Sequence, residues 1–133
     1  TLGVVYDPTR DELFSAVSGA GARLNGKPIH LPADKRVGDA VVSLGLPSRG
    51  FGQQYRDIRR RVRITRAMGS ATLSLTYVAN GRFDAYIQWT KLSVWDICAA
   101  GVIAGLVAQR ALQDLGIGRH GRLHVQGVQQ SGR

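Results

Sequence analysis

The carboxylate of Asp96 is a candidate functional group, and it stands at the start of an apolar segment. Asp96 follows Trp95 directly and precedes the small apolar run at residues 97–104, which predicts a buried helix. An acidic residue at a helix start can accept hydrogen bonds from free N–H groups and favour the positive end of the helix dipole. The same carboxylate can hold a hard cation with its remaining oxygens. From the pattern alone, both roles are open for Asp96.

A second candidate site is the segment Gly69, Ser70 and Ala71. Ser70 is well placed to cap a helix over residues 71–79, and a glycine before it lets the backbone approach a bound group closely. The free N–H groups at a helix start are a general anion site. The segment therefore fits either an ordinary helix start or an anion-binding position.

The composition indicates a folded domain. The chain has 133 residues, of which 44% are hydrophobic, and this excludes a disordered chain. No apolar run reaches the roughly 18–20 residues that span a bilayer, and no signal peptide is visible, so we expect a cytoplasmic protein without membrane contact.

The lone Cys98 excludes an internal disulfide and a cysteine-based zinc site. We expect it to be a small core residue.

Turn signals divide the chain into strands and helices. Strands at residues 1–6 and 12–17 form a predicted hairpin around Asp7 and Pro8, and Asn25 with Gly26 predicts a type I′ turn before an edge strand at 27–31. Further strands are predicted at residues 39–46, 62–66 and 83–89, and helices at 53–61, at 71–79 and after Trp95. The strand–helix–strand order predicts a βαβ unit with a parallel pair, and hence an α/β fold.

Basic residues concentrate in one segment. The net charge is +9, and seven arginines lie between Arg49 and Arg66 against Asp57 alone. Such a run is typical of a solvated helix face, and it also fits a phosphate-rich partner such as nucleic acid. The segment contains only two aromatic residues, Phe51 and Tyr55, which disfavours binding of a single strand.

Five ordered motifs give the chain a specific resemblance. They are Gly-Val-Val-Tyr-Asp-Pro with Asp-Glu-Leu-Phe, Gly-Ala-x-Leu-Asn-Gly, Gly-Ser-Ala, Tyr-Val-Ala-x-Gly-Arg-Phe-Asp-Ala-Tyr and Trp-Asp-Ile-x-Ala-Ala-Gly. Over about residues 2–103 the set resembles the inositol monophosphatase family of magnesium-dependent, lithium-sensitive phosphatases. The resemblance implies a layered α/β sandwich, incomplete in this chain, and hydrolysis of a small phosphate monoester by metal-activated water.

The resemblance also implies roles for particular residues. Asp96 matches a metal ligand near the substrate, and Gly69, Ser70 and Ala71 match a segment that lines the substrate pocket. Gln88 stands nearest to a position where many members carry a Glu that contacts substrate hydroxyls. A neutral amide can still hydrogen-bond a hydroxyl, but the change puts inositol phosphate itself in doubt as the substrate. Mg²⁺ is the implied cofactor, and a homodimer is possible in the intact protein. No residue of this chain is predicted to be catalytic.

Two features of the family are absent from this sequence. One is the main metal site, with an upstream Glu and an Asp-Pro-Leu-Asp-Gly-Thr motif, and the other is a later Glu-Ala-Gly-Gly motif. One carboxylate cannot hold two or three magnesium ions. We therefore expect residues 1–104 to be a partial domain that is inactive alone. We expect residues 105–133 to be a divergent basic tail, frameshifted or disordered. The alternative is a non-catalytic remnant that binds anions or nucleic acid through the basic segment, although nucleic acid is the less expected partner.

Overall fold

The computed structural model describes residues 1–31, 35–45 and 52–114 and arranges them as two sheets with three α-helices. The antiparallel sheet has the order β1-β2-β3-β4, with β1 Leu2–Asp7, β2 Glu12–Val17, β3 Gly21–Leu24 and β4 Lys27–Pro28. The parallel sheet has the order β6-β5-β7, with β5 Val41–Leu44, β6 Ile64–Arg66 and β7 Ala85–Ile87. The helices are α1 Gly52–Arg61, α2 Ala71–Ala79 and α3 Val94–Asp114, and a 3-10 turn covers Val37–Asp39.

The type I′ turn is confirmed at Asn25 and Gly26. Their φ angles of 47° and 79° are the left-handed values that this turn requires. The Asn25 side chain ties the turn to the neighbouring hairpin, because its Oδ1 accepts the N–H of Leu13 at 2.7 Å and its Nδ2 donates to the Asp11 carbonyl at 3.1 Å. The edge strand that follows ends earlier than predicted, at Pro28, which has no N–H to contribute to a ladder.

The predicted βαβ unit is also confirmed. β5 pairs in parallel with β6 on one side and with β7 on the other, so the carboxyl ends of these strands lie at one edge of the sheet. The strand expected over residues 83–89 is limited to Ala85–Ile87. Gly45 and Gln88 therefore come directly after the ends of β5 and β7.

Helix α3 packs across the antiparallel sheet and against α2. Gly3 in β1 makes this approach possible, because a Cβ there would lie 2.7 Å from the backbone oxygen of Ala99. Ile103 and Val107 of α3 are buried in the core. Their neighbours in that core are Val5, Phe14, Ala16, Ala22, Ile29, Tyr77, Ala79 and Phe83.

The prediction that Cys98 is a core residue is wrong. The thiol side chain is exposed, because α3 turns Ala100 and Ile103 towards the core instead. The same helix continues past residue 105, where the tail was predicted to begin, as far as Asp114. Residues 115–133 of that predicted tail lie outside the described residues. Across the described ranges, no helix is both long and apolar enough to cross a membrane.

A buried carboxylate joins the antiparallel sheet to α2. Asp7 at the end of β1 is 2% exposed, and its Oδ2 accepts the Tyr77 hydroxyl at 2.6 Å. The N–H of Thr9 donates to its Oδ1 at 3.0 Å, and Arg10 donates to Oδ2 at 3.3 Å. The Tyr77 hydroxyl is the main reason that the pKa of Asp7 lies below its ordinary value, since burial acts in the opposite direction. Asp7, which the sequence places at the hairpin turn, therefore also anchors α2 to the antiparallel sheet.

The hydrogen bond between Tyr77 and Asp7 predicts that removal of the Tyr77 hydroxyl group destabilises the fold. Tyr77→Phe should lower the free energy of unfolding by roughly 1–3 kcal/mol, because it leaves a buried carboxylate short of a donor. Urea unfolding followed by circular dichroism measures the loss. Tyr6→Phe is the matched control, because the Tyr6 hydroxyl donates to Asp11 on an exposed surface, where a change within about 0.5 kcal/mol is expected. Equal losses in the two variants would contradict the anchoring role.

Candidate substrate cavity

The edge of the parallel sheet opens into a cavity of about 310 Å³ that polar and apolar residues line together. It is bounded by the carboxyl ends of β5 and β7 and by the starts of α2 and α3. All five site residues named from the sequence line it: Gly69, Ser70, Ala71, Gln88 and Asp96. The fold thus brings together three segments that are separate in the chain, while the roles assigned to these residues stay predictions.

The start of α2 has the structure that its sequence predicts. Ser70 is the N-cap, with extended backbone, and its Oγ accepts the N–H of Leu73 at 3.2 Å. Gly69 has a φ of 74°, a conformation that costs a side-chain-bearing residue about 1 kcal/mol or more. Since the first N–H groups of a helix have no partner within it, the cavity lies beside a positively polarised helix end.

Three serines fix the start of α2 on the parallel sheet. The Ser74 hydroxyl donates to the Ser70 carbonyl at 2.8 Å, and its oxygen lies 3.0 Å from the buried hydroxyl of Ser43 on β5. Because Ser74 has one hydrogen and uses it towards Ser70, Ser43 is the donor in the second bond. This chain of hydrogen bonds sets the distance between the helix start and the strand end across the cavity.

Gln88 is held in one orientation by its neighbours. Its Oε1 accepts the Tyr86 hydroxyl at 2.6 Å, and its Nε2 donates to the Thr90 hydroxyl. The amide also lies over Gly45, where an added Cβ would come within 1.4 Å of Oε1. Burial, and to a smaller extent the negative charge of Asp96, raise the pKa of Tyr86, so Tyr86 is a neutral donor at neutral pH.

Asp96 caps α3 from inside its first turn. It is the third residue of the helix, and its Oδ2 accepts the N–H of Ser93 at 2.9 Å. Its backbone carbonyl accepts the Thr72 hydroxyl at 2.9 Å, which joins the starts of α2 and α3. The capping role open to Asp96 from the sequence is therefore present.

The described residues do not make a magnesium site by themselves. Among the described residues, Asp96 is the one acidic side chain that lines the cavity. Over residues 1–31, 35–45 and 52–114 there is no group of three or more His, Cys, Asp or Glu placed to hold a metal ion. Mg²⁺ requires octahedral oxygen coordination and is bound by carboxylates together with substrate phosphates and water. The role of Asp96 as a metal ligand stays a prediction.

Sequence reasoning missed several residues around the cavity. Tyr86 and Ser74 are two examples, and each had a periodic signal. Tyr86 lies two residues before Gln88, which places both on one face of an extended chain, and Ser74 lies four residues after Ser70, on one face of a helix. Gly45 gave no such signal, because its contact with Gln88 joins residues that follow two different strands.

The fold and the cavity define an α/β protein with a crevice at the carboxyl ends of parallel strands, a general position for binding sites in open α/β sheets. A helix start, an oriented amide and one carboxylate face this crevice. A sequence model of the inositol monophosphatase family matches residues 1–105, and the chain belongs to this family. The resemblance found in the motifs is thereby confirmed.

Known proteins share both the sequence and the fold. The inositol-1-monophosphatase of Rhizobium meliloti (strain 1021) is 41% identical over 107 residues, which cover 75% of this chain and 39% of that protein. The crystal structure of the extragenic suppressor protein suhB from Bartonella henselae matches with a TM-score of 0.73 and 33% identity, over 80% of this chain and 43% of that one. A structure of SaIMPase-II bound to inositol monophosphate matches with a TM-score of 0.70 and 31% identity, over 80% and 42%.

These matches confirm the α/β fold expected from the sequence. The matches also show how much of these proteins the chain corresponds to: it spans about 40% of the length of the curated relatives it matches.

The contact between Gly45 and Gln88 predicts a coupled pair of substitutions. Gly45→Ala should lower the free energy of unfolding by about 1 kcal/mol, because the new methyl group displaces the Gln88 amide from its hydrogen bonds with Tyr86 and Thr90. In a Gln88→Ala background, the same change should cost about 1 kcal/mol less, since the overlapping atoms are gone.

Urea unfolding of the four proteins in this cycle measures the coupling. Gly38→Ala is the control, because a Cβ at Gly38 has no atom within 4 Å. A Gly45→Ala loss of the same size in both backgrounds would show that Gln88 does not lie over Gly45.

Proposed function

We propose that this chain forms the substrate-binding part of a phosphatase that hydrolyses a small phosphate monoester. Inositol phosphate or a related sugar or nucleotide phosphate is the proposed class of substrate. The observation that carries the proposal is the convergence of the Gly69–Ala71 segment, Gln88 and Asp96 on one cavity. Its volume of about 310 Å³ lies at the lower end of the range of small-molecule sites. Family membership supports a phosphatase of the inositol monophosphatase type.

Each proposed contact follows from the chemistry of its group. The N–H groups of Ala71 and Thr72 at the start of α2 attract the phosphate, because they have no partner within the helix and carry the positive end of its dipole. The Gln88 amide uses one hydrogen towards Thr90, and its second hydrogen is available to donate to a substrate hydroxyl oxygen. A neutral amide adds no negative charge to a site that must accept an anion.

Mg²⁺ is the proposed cofactor of the intact protein, with Asp96 as one ligand. Asp96 uses Oδ2 to accept the N–H of Ser93, and Oδ1 carries no hydrogen bond from the described residues. The other carboxylates that such an ion requires must come from elsewhere in the protein. No catalytic step is therefore assigned to residues of this chain. Its cytoplasmic location and the possible homodimer also stay predictions.

A titration with three ligands tests the proposed substrate site. Inositol 1-phosphate and inorganic phosphate should both shift the amide resonances of Ala71 and Thr72 in ¹⁵N-labelled protein, because both present a phosphate to the helix start. Gln88→Ala should weaken inositol 1-phosphate binding by roughly fivefold, the equivalent of one hydrogen bond, and leave phosphate binding unchanged. Unphosphorylated inositol should bind least. The absence of any shift at the start of α2 would refute the phosphate site.

The activity of the chain alone is a separate expectation. Purified protein with Mg²⁺ and inositol 1-phosphate should release no phosphate above the uncatalysed background, because Asp96, the one carboxylate among the described lining residues, cannot by itself position the metal ions that activate water. A colorimetric phosphate assay measures this, with a full-length family member as the positive control. Turnover that is abolished by Asp96→Asn would overturn the expectation and show a complete metal site in this chain.

A further inference from the structure

A basic surface lies on α1 and β6, in the described part of the arginine-rich segment. Residues 52–66 contain six arginines and one acidic residue, Asp57, which leaves five positive charges at neutral pH. All six arginine side chains are exposed: Arg56, Arg59, Arg60, Arg61, Arg63 and Arg66. Arg49 and Phe51 of the predicted segment lie outside the described residues. The basic surface is defined by these six arginines.

Helical spacing concentrates part of this charge on one face. Arg56, Arg59 and Arg60 are three and four residues apart in α1, so they share a face. Ile58 is half-buried, and Tyr55 is too, which turns the arginine face towards solvent. Arg63 follows one turn later, just past the helix end. The four charges extend over about 10 Å along the helix direction.

Little within the described residues neutralises the basic surface. Asp57 and Arg60 form an ion pair at 4.0 Å, but their side chains are 49% and 75% exposed, so the pair is weak. Arg56 donates to the neutral Gln53 at 2.7 Å, and the Arg59 guanidinium lies 5.7 Å from the centre of the Tyr55 ring. No residue of α1 is buried. Packing of the helix therefore does not explain so many arginines.

We propose that this basic surface binds the phosphate backbone of a nucleic-acid duplex, independently of base sequence. A convex helix surface does not enclose a small anion, whereas a polyanion presents phosphates to several guanidinium groups at once. Guanidinium groups form paired hydrogen bonds with phosphate oxygens. Tyr55 is the one aromatic side chain among residues 52–66, and its ring lies beside Arg59. The surface therefore lacks the aromatic platform on which single-stranded bases stack.

Fluorescence anisotropy with the complete 133-residue chain tests the proposal. The probes are DNA and RNA duplexes of about 20 base pairs, a single strand of equal length, and vesicles of anionic lipid. With three to four phosphate contacts, the duplex affinity should fall about 40- to 150-fold between about 50 and 200 mM salt, a logarithmic slope near −3. The single strand and the vesicles should bind more weakly. The DNA and RNA arms distinguish the two kinds of duplex.

Double substitutions show whether the basic surface is the part of the chain that binds the duplex. Arg56→Gln with Arg60→Gln should reduce the salt slope by about 2 and weaken duplex binding at least tenfold, whereas Arg56→Lys with Arg60→Lys should restore the slope because the charges return. Arg23→Gln with Lys27→Gln is the matched control, because it removes two exposed charges from the antiparallel sheet and should leave the slope unchanged. Circular dichroism checks that each variant is folded.

Three results would overturn the proposal. One is equal loss of affinity in the two glutamine pairs, which would mean that only the net charge matters. Another is tighter binding to anionic vesicles than to either duplex, and the third is the absence of saturable binding at low salt. None of the changed residues lines the substrate cavity, so these results are independent of the proposed phosphatase function.

Discussion

The buried hydrogen bond between Asp7 and Tyr77 is the interaction on which the arrangement of layers depends. A carboxylate that is 2% exposed is stable only if donors replace the water that it has lost. The Tyr77 hydroxyl supplies one donor from α2, and the guanidinium of Arg82 lies 4.7 Å from the ring of the same tyrosine. Arg82 in turn pairs with both oxygens of Glu12 on β2. The antiparallel sheet and α2 are thus held together by polar contacts as well as by the apolar core.

This anchor matters for the cavity because hydrogen bonds fix α2 near both of its ends. Tyr77, near its carboxyl end, is tied to the antiparallel sheet, while Ser70 and Ser74, near its amino end, are tied to Ser43 of the parallel sheet. A helix held at both ends presents its first N–H groups to the cavity in one position. A preorganised site loses less conformational entropy when a ligand binds. The same reasoning applies to Gln88, whose amide is oriented by Tyr86 and packed over Gly45.

Charge is distributed in two very different ways in this small protein. In the described part of the chain, one carboxylate lines the cavity beside a polarised helix end, whereas α1 and β6 carry exposed arginines on a surface without buried residues. The first arrangement fits a small phosphorylated ligand, and the second fits a repeating polyanion. The family and the fold are clear over about 40% of the length of the curated relatives. For the whole protein, the activity and the substrate are therefore proposals, which rest on the contacts that this chain supplies.

Local patterns in the sequence were sufficient to predict the turns, the helix start at Ser70, the parallel pair of strands and the family. Each depends on residues that are adjacent or regularly spaced, such as Asn25 with Gly26, so a short pattern contains the necessary information. Tertiary structure alone decided that Asp7 is a buried anchor, that Cys98 is exposed, and that the Gln88 amide packs over Gly45. These properties depend on which distant atoms pack nearby, and burial and steric overlap between remote segments leave no periodic signal in a single sequence.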